Sequence, residues 1–137
     1  MSPNGRGRRA SNKPSKPGPD RLFVPLASDP FAWFQSGKKS WELRRHGRQY
    51  TSRHVHTGRK VELRRGYSDP ARALWGTVAD VHEAGSLEAF FRRVHWREVL
   101  PEAGSYAQAL ADACRILGIA DAATGRVLGF QIALAGA

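Results

Sequence analysis

Three side chains at one spacing hold the most chemistry in this sequence: Lys39, Glu42 and Arg44, inside SGKKSWELRRHGR at 36–48. An arginine offers a planar fork to a phosphate or carboxylate, and a lysine offers a mobile point charge. A carboxylate between them repels phosphate, so the stretch is not a simple backbone-binding strip. Glu42 is suited to accept from exocyclic amines or ribose hydroxyls. Buried beside Lys39, it is also suited to general acid–base work. Three readings stay open: a paired, charged sheet edge, a binding cleft, and a catalytic centre.

The surrounding pattern says how these groups are placed. From Ser40 to Arg44 the residues alternate, with Trp41 and Leu43 toward a core and Glu42 and Arg44 on the opposite face beside Lys38 and Lys39. A short helix precedes them, with Asp29 as N-cap, Pro30 at its first position and Gly37 just past its end. Phe31 and Phe34 face the core, and Trp33 lies off that face, toward a loop or cleft.

RLFVPL at 21–26 opens the body as a strand, and KVELRRG at 60–66 alternates with Val61 and Leu63 inward and Glu62 and Arg64 outward. Between them, HGRQYTSRHVHTGRK is turn-like, with a short helical turn. A strand follows at 73–81, where Gly76 signals a bulge or a close backbone approach. Ser86 and Ser105 cap two helices, Gly118 stops the second, and 126–134 forms a last strand. The order implies an α+β fold with a curled, mostly antiparallel sheet and helices packed outside it. Trp33, Trp41, Trp75 and Trp96 read mostly as core.

Charge is distributed unevenly along the 137 residues. Residues 1–65 hold sixteen Lys and Arg against four acids, a net of +12, and residues 66–137 hold six against eight, a net of −2. A formal net charge of +10 points to a polyanionic partner, nucleic acid before membrane. Residues 1–20 contain ten Gly, Pro or Ser and five basic residues, and read as a disordered basic tail. Residues 21–137 read as one domain. The N-terminal arginines have no apolar segment behind them, so no secretory signal is expected.

One cysteine, Cys114, excludes an internal disulfide and a cysteine-based metal framework, which suits a reducing cytoplasm. It reads as a small core residue. His54-x-His56 has no third ligand nearby, so no metal and no cofactor are expected. No apolar run is long enough for a bilayer, and a monomer without membrane contact is expected.

Gly37, Lys39, Glu42 and Arg44 resemble the G-x-K-x-x-E-x-R signature of the ASCH domain, a family with a PUA-like β-barrel. The preceding helix, the TGRKVEL strand and the RVLGFQIAL strand stand in that family's order, so the likeness spans about residues 21–135. One departure is Gly58-Arg59, where members often have Gly-Asp.

The resemblance implies a domain that handles nucleic acid, RNA first and DNA as the other candidate, held in a basic cleft. The binding residues expected from it are Lys38, Lys39, Glu42, Arg44, Arg45, Arg48, Arg53, Arg59 and Arg64. The alternative it implies is a small hydrolase, an amidohydrolase of acetylated cytidine or a ribonuclease. That reading uses Lys39 as nucleophile or base, Glu42, and a downstream acid, Glu102 or Glu98. The amidohydrolase branch has threonine at the position of Glu42, which favours binding for this chain.

Overall fold

The computed structural model describes residues 20–136. The expectation of a disordered basic tail falls, apart from Asp20, outside the described residues. Five strands form one curled sheet: β1 (Arg21–Leu26), β2 (Trp41–Arg45), β3 (Lys60–Arg65), β4 (Leu74–Ala84) and β5 (Val127–Leu134). Their spatial order is β1-β3-β4-β5-β2. The β1–β3 pair is parallel and the other three are antiparallel. Three α-helices complete the α+β fold: α1 (Ser28–Gln35), α2 (Leu87–Arg93) and α3 (Tyr106–Leu117).

Because the sheet curls, its two faces carry two apolar clusters. The concave side holds Leu22, Val24, Val61, Leu63, Val78, Leu128, Phe130 and Ile132, with Phe31 and Phe34 of α1. The convex side packs Trp41, Leu43 and Val127 against Leu87, Phe90 and Phe91 of α2 and Ala109 and Ala113 of α3. Burying a ring such as Phe90 contributes about 1.5–3 kcal/mol. Gly129 is required there: a Cβ on it would lie 2.3 Å from the Phe90 ring.

The capping expectations for α2 and α3 hold. Ser86 accepts from the Ala89 N–H and Ser105 from the Gln108 N–H, each at 3.1 Å. Gly118 ends α3 at φ 68°, a left-handed conformation that glycine adopts without a Cβ penalty. Helix α1 differs: it begins at Ser28 after Ala27, which makes no side-chain cap, and Asp29 lies in its first turn, where its charge favours the helix dipole.

Gly76 makes the expected close approach, with an added Cβ falling 2.5 Å from the Ala133 carbonyl oxygen. A register shift between Val78 and Asp80 follows it. The extra residue lets Val78 and Val81 face the same cluster three positions apart, which strict alternation forbids. The helical turn expected after β2 is a single turn closed by the Val55 N–H on the Thr51 carbonyl at 2.8 Å.

Alternation holds, with Glu42 and Glu62 on the face opposite their apolar neighbours, but both carboxylates are buried there. Glu62, placed outward by pattern, is 1% exposed, shielded by Arg21 and Arg64 at 2.7 and 2.5 Å rather than by depth. Glu42 is buried as well. Trp75, read as core, is 42% exposed on the convex face.

Candidate functional site

Helix α1 ends in a turn that fixes where Lys39 starts. Gly37 has φ 82°, and the Trp33 carbonyl accepts the Lys38 and Lys39 N–H groups at 2.9 and 3.1 Å. The next segment is clamped by the 3₁₀ turn Trp96–Glu98 and the residue after it. The Ser40 N–H donates to the Glu98 carbonyl at 3.1 Å and its hydroxyl to Glu98 Oε1 at 2.5 Å. Lys39 Nζ donates to the Val99 carbonyl at 2.6 Å. The Ile132 N–H on the Ser40 carbonyl then starts the β2–β5 ladder.

With its backbone so placed, Lys39 points inward over the Phe34 ring, 5.4 Å from its centroid. Its Nζ lies 3.3 Å from Glu42 Oε1, and Glu42 Oε2 lies 2.7 Å from Arg44 Nε. Lys39 and Glu42 are only 5% and 7% exposed. Arg44 continues the chain of contacts, donating to the Tyr50 hydroxyl at 3.1 Å and to the Pro25 carbonyl at 2.9 Å. The last bond crosses the open seam of the sheet, because β1 and β2 are its two edges. Tyr50 in turn stacks on Phe130 at 6.2 Å.

Burial pushes the Lys39 ammonium below its ordinary range, and Glu42 only partly offsets this. Burial also pushes the Glu42 carboxyl up, but Lys39 and Arg44 outweigh it and hold the group below its ordinary value. Glu42 therefore stays ionised, a single carboxylate held between two cations.

Two adjoining cavities meet at this chain. One, of about 460 Å³, lies between α1, α3 and β2, with Trp33, Lys39, Glu42, Leu43, Val99 and Ile116 in its wall. The other, of about 990 Å³, runs along Pro25, Glu42, Arg44, Arg45, His46, Arg48 and Tyr50. Glu42, Leu43, Ile116 and Leu117 line both, so the two form a continuous cleft with Glu42 at the junction. Its rim carries exposed Arg45 and Arg48. Arg48 has φ 51°, a strained conformation for a non-glycine residue, in the turn bridged by Gly47 and Tyr50.

Among the residues expected at the site, Lys39, Glu42, Arg44, Arg45 and Arg48 are brought together here. The others are not. Lys38 is exposed and pairs with Glu102 at 3.3 Å, so Glu102 lies on the exterior and not beside Lys39. Arg53 is exposed in a turn. Arg59 donates to the His54 and Arg21 carbonyls, and Arg64 grips Glu62 on the convex face. His54 and His56 flank buried Val55 in a turn rather than sharing a strand face. Among the described residues, no group of three His, Cys, Asp or Glu is placed to hold a metal.

Sequence reasoning missed Tyr50, the Val99 carbonyl and the α3 wall. Ile116 stands 60% exposed in that wall, and Tyr106 at the start of the same helix is 42% exposed, so apolar spacing alone did not mark the wall.

No family model matches the chain, and no curated protein matches it. Solved structures do. The crystal structure of hypothetical protein PH0355 superposes with a TM-score of 0.66 at 16% identity, over 83% of this chain and 98% of that one. The solution structure of protein PF0455 from Pyrococcus furiosus gives 0.60 at 16% identity, over 85% and 99%. ASCH from Zymomonas mobilis gives 0.55 at 14% identity, over 85% of this chain and 68% of that one. Identities this low speak for the fold alone: the chain has an ASCH-like fold.

Proposed function

We propose that this protein binds single-stranded RNA, with one base seated in the cavity between α1, α3 and β2 and the backbone running along the Arg45–Arg48 rim. The observation that carries this reading is Glu42, a buried, ionised acceptor at the junction of an apolar-walled cavity and a basic groove. A cavity of about 460 Å³ is of the size that encloses a small ligand. Trp33, Leu43 and Ile116 provide apolar surface for a base, and Lys39 and Glu42 provide donors and an acceptor for its edge. Lys39, expected as a phosphate contact, is buried at the back of the cleft, so the phosphate role passes to exposed Arg45 and Arg48.

A second reading is supported by the same lysine. A buried lysine with a lowered pKa beside an acid has the character of a hydrolytic base or nucleophile. Incubating the full-length protein with acetylated cytidine and with short RNA, and separating products by chromatography, distinguishes the two. Saturable binding without turnover supports the binding reading. Turnover that is lost in Lys39→Met replaces it with the hydrolase.

A further inference from the structure

The cleft uses the end of the sheet near α1 and α3, and leaves another surface unassigned. The cluster that covers the convex face with α2 and α3 includes no residue of β1 or β3. The pairing register places Phe23, Glu62 and Trp75 in one row across β1, β3 and β4 on that bare region. Strand spacing puts Phe23 and Trp75 about 10 Å apart.

The row is flanked by cations and aromatic faces. Arg64 lies over the Phe23 ring at 4.6 Å, and the Tyr67 ring sits 5.8 Å from the same ring. Tyr67 is 83% exposed, and Trp75 borders a shallow hollow that also includes Lys60, Thr77 and Ala133. Glu62 is the acid in the row, and both of its oxygens are taken by Arg21 and Arg64.

We propose that this face is a second nucleic-acid surface, on which bases of a single strand stack on Tyr67 and Trp75 while Arg21, Lys60 and Arg64 meet its phosphates. Charge selects the occupant. A second copy of a chain with net charge +10 would oppose like charge to like, and so would residues 1–19, which carry five basic residues and no acid. A polyanion with flat bases satisfies both the charge and the aromatic faces.

The proposal rests on the nucleic-acid reading but concerns a different surface, so the test separates the two. The full-length protein is titrated with a trinucleotide, with a longer single-stranded RNA and with polyphosphate, following tryptophan emission and anisotropy. The longer RNA is expected to quench emission, and Tyr67→Ala and Trp75→Ala should each weaken its binding by about 5- to 100-fold. Trp75→Phe should keep most of the affinity and lose the quenching by the longer RNA that exceeds what the trinucleotide causes at Trp33, while trinucleotide affinity stays unchanged. Equal affinity of both alanine variants and wild type for the longer RNA overturns this proposal and leaves the cleft standing. Polyphosphate binding with the same dependence on Tyr67 and Trp75 also overturns it, because stacking would then play no part. Failure of every RNA to bind overturns both readings.

Discussion

Lys39 Nζ stands 3.3 Å from Glu42 Oε1, and both groups are shut away from solvent between α1, α3 and β2. Glu42 also holds half-buried Arg44, so removing its charge leaves that cation and buried Lys39 without their partner. Glu42→Gln should therefore destabilise the fold by about 3–5 kcal/mol. Lys39→Met leaves Glu42 with Arg44 but orphans the Val99 carbonyl, and should cost a smaller ~1–3 kcal/mol. Urea denaturation followed by far-ultraviolet dichroism measures both, and a larger loss for Lys39→Met would reverse the assigned order.

The same groups fix the pH dependence. Glu42 and Glu62 are both held below their ordinary 4.5: burial pushes each up, and the neighbouring cations outweigh it. The unfolded chain therefore takes up these protons first as pH falls. Their stabilisation is complete above about pH 4.5 and is lost as pH drops through the lower folded values. Lys39 acts at the other end: burial lowers its pKa from 10.5, so stability rises with pH between its folded value and 10.5. Urea midpoints across acid pH should show a flatter slope for Glu42→Gln than for wild type.

Gly129→Ala should destabilise by about 1–3 kcal/mol, because the new methyl would meet the buried Phe90 ring at 2.3 Å. Gly104→Ala is the control, since nothing lies within 4 Å of the added Cβ. Thermal unfolding of the two variants checks the convex packing without touching the cleft. Equal midpoints would mean that Phe90 does not press on β5.

Much of the fold was legible because local signals and tertiary packing agree. Ser86, Ser105 and Gly118 mark helix ends by the hydrogen bonds they make, and Phe31 and Phe34 mark the buried side of α1. The K-x-x-E-x-R spacing announced that Lys39, Glu42 and Arg44 belong together. Burial of the charges was not legible. Alternation separates two faces of a strand but does not say what closes over the polar one: Lys39 and Arg44 close over Glu42, and Arg21 and Arg64 over Glu62. Tyr50 and the Val99 carbonyl reach the site from segments far along the chain or irregular in conformation, and periodicity carries no information about such contacts. The fates of Lys38 and Glu102 follow from the clamp at Glu98 and Val99, which turns Lys39 inward and its neighbour out.

The rim supplies an electrostatic prediction. Arg45→Ala combined with Arg48→Ala removes two exposed cations from the groove and should lower RNA affinity about uniformly across sequences, with a shallower salt dependence than wild type. For the wild type, going from about 50 to about 200 mM salt should weaken binding about tenfold or more. Filter binding at both salts checks the pair. Affinity independent of salt would remove the charge-based account.

The most direct test of the cleft is amide mapping by NMR on the full-length, nitrogen-labelled protein during titration with a short single-stranded RNA. The account predicts saturable shifts at Trp33, Lys39, Leu43, Arg45, Arg48 and Ile116, the residues that wall the two cavities and their rim. Saturation of the RNA signal with these amides unmoved would contradict it.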